Sequence, residues 1–207
     1  MSWAYSPTYG KPLSVAQGMI GLLSRFGTQL VLAHPPGYNL LPEITNLAHK
    51  QAKASGGSFQ ITNDMKSSFQ NADVVCPKSW ASYEVMQKRK TLLHNGDNAG
   101  LANLEQTCLQ QNANFQKWEC TSELIKLTNK ALYMHPLPAD ITGVNCTHGE
   151  VSKQVFEENL LDTYTQAGFK PYIIAAIIFL SKQSNPAAKL EELVNQNLPR
   201  LNARRNR

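Results

Sequence analysis

Two stretches decide the fold: Asp73-Val74-Val75-Cys76-Pro77-Lys78-Ser79-Trp80 and Ala131-Leu132-Tyr133-Met134-His135-Pro136-Leu137-Pro138. Each opens as a short apolar run and stops at a proline, the pattern of a buried strand ending at a turn. Strands without polar alternation belong to parallel sheets covered on both faces. Working outward, Leu30-Val31-Leu32-Ala33 stops in the same way at His34-Pro35-Pro36-Gly37, and Ser58 to Ile61 stops before Asn63-Asp64.

Helical patterns separate these runs. Ser14 followed by Gln17 reads as a capping box, opening a helix with Val15, Ile20, Leu22 and Leu23 that ends at Gly27. Pro42 and Glu43 suit a first turn, with Ile44, Leu47 and Ala48 following up to Ser55-Gly56-Gly57. Asp64 caps a brief helix through Phe69. Tyr83 to Lys130 is amphipathic and helical, broken near Asn95-Gly96-Asp97 and near Trp118. The remainder is read as helices over Val151 to Leu161, Phe169 to Lys182 and Leu190 to Leu198. The alternation predicts an α/β, Rossmann-like three-layer domain with a mostly parallel sheet of roughly four or five strands and helices on both faces.

Composition agrees with a soluble globular chain: 207 residues, 42% hydrophobic and 17% charged. No signal-peptide pattern opens it, and the longest apolar run, Tyr172 to Leu180, is about half a bilayer span, so it reads as a buried helix. The four cysteines lack close pairing, which argues for free thiols in a reducing cytoplasm and against a metal site. Much of the +5 net charge sits at Arg200, Arg204, Arg205 and Arg207. No aromatic residue interleaves with them, so a solvated tail is preferred over a nucleic-acid or membrane surface. Residues 1–185 are read as one domain and 186–207 as a basic helix and tail.

Parallel sheets bind ligands beyond the carboxyl ends of their strands. The segments there include Pro77 to Ser82 and His135 to Asp140, which bring lysine, hydroxyl, indole and imidazole groups to one edge. Such a set suits a small anionic or amphiphilic molecule. Neither GxGxxG nor GxxxxGK[ST] occurs, which argues against a nucleotide binder.

The same segments, in this order, resemble the aspartate/ornithine carbamoyltransferase superfamily. Met134-His135-Pro136-Leu137-Pro138 is similar to its His-Cys-Leu-Pro segment, with Pro136 in the cysteine's place. Asp73 to Trp80 resembles the substrate loop of the acetylornithine branch. Trp3-Ala4-Tyr5-Ser6-Pro7 and Lys11-Pro12-Leu13-Ser14 resemble the proline-containing loop of its knotted members, and Gln166-Ala167-Gly168-Phe169-Lys170 falls where the family has an arginine. The likeness covers residues 1 to about 200 and is greatest to the YgeW-type group.

The resemblance implies the amino-acid-binding domain of an enzyme that moves a carbamoyl group from carbamoyl phosphate to an amine, ornithine-like in kind. It also implies a trefoil knot, no cofactor, and a homotrimer for full-length members. It places His135 near the carbamoyl oxygen, the carbonyls of Pro136 and Leu137 near the carbamoyl NH2, and Lys170 beside carbamoyl phosphate. Lys78, Ser79 and Trp80 would meet the second substrate, with Ser14, Asp140, Tyr5 and Lys11 around it. An acidic Asp140 would favour an amine over a carboxylate. Core packing for Trp80, a solvated position for Lys78 and a plain helix cap for Ser14 are the competing readings. The family's phosphate loop has no counterpart here, and Met1 falls inside the first strand, so a carbamoyl-phosphate domain is expected upstream and the chain alone is expected to be inactive. The alternative is a non-catalytic amino-acid-binding or oligomerisation remnant.

Overall fold

The computed structural model describes residues 1–198, so the four tail arginines lie outside the described residues. The chain divides into two compact units, Met1–Tyr164 and Thr165–Arg207.

The first unit is built on short parallel strands. β1 (Ser2–Trp3), β2 (Gln29–Ala33) and β3 (Ser58–Thr62) run side by side, and β3 pairs with β2 over five residues from Gln29↔Ser58 to Ala33↔Thr62. β4 (Val74–Val75) and β5 (Pro77–Lys78) are two halves of one extended run interrupted at Cys76. Its second half pairs with β1 and its first with β6 (Leu132–Tyr133), both parallel. A small parallel pair, β7 (Ile141–Thr142) and β8 (Val151–Ser152), follows. The apolar runs read from the sequence are therefore the strands, and the parallel α/β class holds.

Local chemistry explains most helix limits. α1 is Ser14–Leu23. α2 (Pro42–Ser55) starts on a proline and stops at Gly56, which takes the left-handed conformation at φ 80°. α3 (Met65–Phe69) is capped by Asp64, whose carboxylate accepts from the Lys66 and Ser67 amides. α4 (Tyr83–His94), α5 (Asn98–Ala113) and α6 (Ser122–Ile125) fill the long helical stretch with breaks at the places expected, and α7 (Lys153–Glu158) and α8 (Leu160–Gly168) follow, the division between the units falling within α8. Two apolar clusters cover the sheet. One joins Trp3, Leu30, Leu32 and Trp80 to α1 and α2; the other joins Val75 and Tyr133 to α3 and α7.

Three expectations fail locally. The Ser14 capping box does not form: Leu13 takes the cap position without a side-chain bond, Ser14 is the first helical residue, and the Gln17 amide oxygen instead accepts from Leu41 N at 3.2 Å. Val151 and Ser152 are a strand, not the start of a helix; the Ser152 hydroxyl then caps α7. The apolar run Tyr172 to Leu180 is helical but not buried. It forms most of α9 (Lys170–Lys182), and Tyr172, Ile173 and Ile177 are each 60% exposed or more. With α10 (Pro186–Gln196) as its companion helix, the second unit holds too little chain to cover a helix that is apolar on all sides.

Candidate functional site

The strand ends converge on one buried carboxylate, Glu150. It sits just before β8, placed there by Gly149, where a Cβ would meet Asp140 O at 2.3 Å. Only glycine lets the two backbones approach this closely. Gly149 N donates to Thr142 Oγ1 at 2.8 Å, which fixes the turn.

Glu150 is fully buried, and both of its oxygens have partners. Oε1 accepts from Ser79 N at 2.7 Å. Oε2 accepts from Asp140 N at 3.0 Å and faces Lys11 Nζ at 3.1 Å, Lys78 Nζ at 3.4 Å and His135 Nε2 at 3.2 Å. Burial alone would raise this carboxyl, but the His135 hydrogen bond and the two lysines overcome it and hold the group at about 2. Five donors explain why an acid survives burial here.

His135 follows β6 and is 1% exposed. Its Nδ1 lies 2.8 Å from the Tyr133 hydroxyl and its Nε2 faces Glu150. Burial pushes the imidazole below its usual range, and Glu150 opposes this only in part. The ring is thus neutral near pH 7, and a carboxylate acceptor at Nε2 assigns the single proton there, leaving Nδ1 to accept from Tyr133.

The two lysines have different settings. Lys78 Nζ donates to Pro138 O at 2.7 Å as well as reaching Glu150, so it ties β5 to the segment after β6. Burial lowers its pKa, with the Glu150 charge acting against that. Lys11 bridges Glu150 and Asp140, the latter at 2.6 Å, and keeps 17% of its side chain exposed. Asp140 also accepts from Ser6 Oγ at 2.6 Å. Its charge is therefore taken up by Lys11 and Ser6, which weakens the argument that it would repel a substrate carboxylate.

Of the residues singled out from the sequence, Lys11, Lys78, Ser79, His135 and Asp140 come together here. Trp80 is buried in the first core cluster, its Nε1 donating to Tyr38 O at 2.9 Å, while its own carbonyl accepts from Trp3 Nε1. Tyr5 is buried with its ring against His148 at 6.5 Å. Leu137 is 45% exposed and Pro136 partly buried beside it. Ser14 is exposed on the first turn of α1, and Lys170 is exposed at the start of α9 in the second unit. The sequence reading missed Glu150, Ser6 and Tyr133. A signal existed for Glu150: a lysine at the end of a buried strand, Lys78, requires a counter-charge, and Glu150 follows the histidine segment closely.

Among the described residues, no group of three or more His, Cys, Asp or Glu is arranged to hold a metal ion, and all four cysteines are free. Among the described residues, no helix is long and apolar enough to cross a membrane.

Comparison with known proteins matches residues 10–181 to the family model for the aspartate/ornithine carbamoyltransferase Asp/Orn binding domain. YgeW of Escherichia coli, a provisionally named carbamoyltransferase, is 54% identical over 198 residues, covering 95% of this chain and 50% of that protein. An ornithine carbamoyltransferase of Caldicellulosiruptor saccharolyticus is 26% identical over 127 residues, 61% of this chain and 35% of the relative. The chain thus spans about half the length of the curated relatives it matches most fully. Among solved structures, N-acetyl-L-ornithine transcarbamylase superposes with a TM-score of 0.57 at 24% identity, covering 75% of this chain and 40% of that one; a complex with acetylcitrulline gives the same values. At that identity the superposition speaks for the fold.

Proposed function

The chain belongs to the aspartate/ornithine carbamoyltransferase family, as its Asp/Orn binding domain, and from that premise we propose that it is the acceptor-binding half of a carbamoyl-transfer enzyme. The amine nitrogen of an amino acid attacks the carbonyl carbon of carbamoyl phosphate. The carbon–oxygen bond to phosphate then breaks, phosphate leaves with its electron pair, and the nitrogen loses a proton to give a ureido product. No covalent enzyme intermediate is needed; the work is positioning and charge stabilisation.

In this reading His135 Nε2–H, directed at Glu150 in the free domain, is the donor offered to the carbamoyl oxygen. The carbonyls of Pro136 and Leu137 accept from the carbamoyl NH2. Lys78 and Glu150 hold the histidine segment against the substrate loop, and Lys11 is the more accessible cation. Lys170 would stand near the phosphate, as a point charge without the two-pronged geometry of arginine. The phosphate itself needs a companion half, and the exposed apolar face of α9 is consistent with a domain that works against another.

The observation that carries this proposal is the Glu150–His135–Lys78–Lys11 constellation, in which Lys78 and His135 stand at the carboxyl ends of β5 and β6, within the span of the family match. Thermal unfolding of the isolated chain with L-ornithine, other amino acids, polyamines or carbamoyl phosphate tests it. An amino acid or amine should raise the melting temperature. Stabilisation by carbamoyl phosphate alone would contradict the division of labour.

A further inference from the structure

The Glu150 constellation is sealed in the free domain. His135 is 1%, Glu150 0% and Lys78 8% exposed, whereas the Lys11 and Asp140 side chains keep 17% and 20%. Those two thus form the outer layer of the network. Lys11 Nζ lies between the two carboxylates, 2.6 Å from Asp140 and 3.1 Å from Glu150. Ser6 Oγ, at the other end of the same segment, also donates to Asp140 at 2.6 Å. Residues 6–11 therefore cross the site as a strap, its two end side chains drawn down on one acid.

The other holds on this segment differ in strength. Its flanks are tied through the backbone, by Tyr5 N to Trp118 O at 2.7 Å and by Ala81 N to Lys11 O at 2.9 Å. Between these ties Pro7 and Thr8 are exposed. From α5, Asn112 Nδ2 donates to Ser6 O and Thr8 O at 3.4 and 3.3 Å, long for hydrogen bonds. From α4, the Arg89 guanidinium carbon stands 5.6 Å from the centre of the Tyr9 ring. The short side-chain contacts are those to Asp140. Releasing them does not leave Glu150 bare: with Lys11 away, the carboxylate keeps Ser79 N, Asp140 N and Lys78 Nζ. The network can open at its surface while its buried half stays satisfied.

We infer that residues 6–11 are a movable strap and that Lys11, bridging Asp140 and Glu150, is its latch: a carbamoyl oxygen reaches His135 only after the latch opens. The access step rests on the family reading above, in which His135 Nε2 meets that oxygen. The latch itself rests on the burial of the network and on the two ion-pair distances. A partly exposed pair is weakened by salt, whereas the Lys78–Glu150 pair beneath it, with side chains 10% and 0% exposed, is shielded. Opening is therefore local and leaves the rest of the first unit folded.

Ethoxyformylation of individual histidines by diethyl pyrocarbonate, followed by peptide mass spectrometry on the full chain, reads the opening. In the unaltered chain His135 should react about tenfold or more slowly than the exposed His94. Asp140→Asn should raise the His135 rate about threefold, and Lys11→Met, which removes both halves of the bridge, about tenfold. His34 is also buried, at 2% exposed, but bonds to Pro35 O and Asn63 outside the network. Its rate should stay fixed, which separates a strap from general loosening. Lys153→Met, which breaks the exposed pair with Glu157, should alter neither. Where a variant fails to fold by circular dichroism, raising sodium chloride from about 0.05 to about 1 M on the unaltered chain replaces it. There His135 should quicken severalfold and His34 should not. His135 as reactive as His94 at the outset, no rise in His135 on unlatching, or an equal rise in His34 would each overturn the strap. None of these outcomes touches the family reading, which fails only if no ureido product forms with a companion half present.

Discussion

Glu150 Oε2 lies 3.2 Å from His135 Nε2, with both side chains fully buried. Because the histidine is neutral near pH 7, Lys11 and Lys78, not His135, balance the carboxylate charge. Removing the carboxylate therefore leaves Lys78 buried without a counter-charge, while Lys11 keeps Asp140. Glu150→Ala is expected to lower stability by about 3–5 kcal/mol, the usual consequence of breaking a buried charge pair. Urea unfolding measures this; a loss under about 1 kcal/mol would mean that the network is not held as described.

Acid should unfold the chain through the same group. Glu150 titrates at 4.5 when unfolded and at about 2 when folded. Protons taken up below 4.5 thus favour the unfolded state, and its contribution, full above 4.5, is lost as pH falls toward 2. The total is about 3 kcal/mol. His135 acts in the same direction, since burial depresses it below its ordinary 6.5 and the unfolded form binds the proton first. Urea midpoints should therefore fall steadily from pH 7 to pH 3, and Glu150→Gln should flatten the part below pH 4.5. A midpoint that rises between pH 7 and pH 5.5 would indicate a stabilised imidazolium instead.

Trp80 separates a packing role from a substrate role. Its indole donates to Tyr38 O from within the first core cluster. Trp80→Phe should cost about 1 kcal/mol for the lost hydrogen bond, and Trp80→Ala about 3–5 kcal/mol for the cavity. Amino-acid affinity should be unchanged in the phenylalanine variant; a tenfold loss there would return Trp80 to the substrate.

Gly149→Ala tests how tightly Glu150 is placed. A methyl group at 2.3 Å from Asp140 O must push the turn open. The expected loss is about 2 kcal/mol or more. The His135 imidazole proton resonance should also shift as Glu150 withdraws, and an unchanged resonance would show that the close approach is not what sets the carboxylate.

Much of this molecule was legible in its sequence, because short-range chemistry set it. Pro42 and Gly56 bracket α2, Asp64 caps α3, and the proline-ended apolar runs are the strands. Ser14 with Gln17 misled because a side chain with two possible partners chose the tertiary one, Leu41 N. The burial of α9 was misread because apolar composition states a need for cover without showing what meets it. Glu150 was missed for a related reason. A lone acid in a chain looks like any solvated acid until Lys11, Lys78 and His135 are brought to it from distant positions. The motif residues of the site were readable; the carboxylate that organises them is a product of the fold.

The central claim, that this domain presents an acceptor to carbamoyl phosphate held elsewhere, is most directly tested by joining it to a companion. The chain should be co-expressed with the half of Escherichia coli YgeW that it does not match, and given radiolabelled carbamoyl phosphate with a panel of amino acids and amines. The account predicts label in a ureido product only when both halves are present, falling about a hundredfold or more in His135→Ala. A folded pair that labels no amine in the panel, or transfers equally well after His135→Ala, would contradict it.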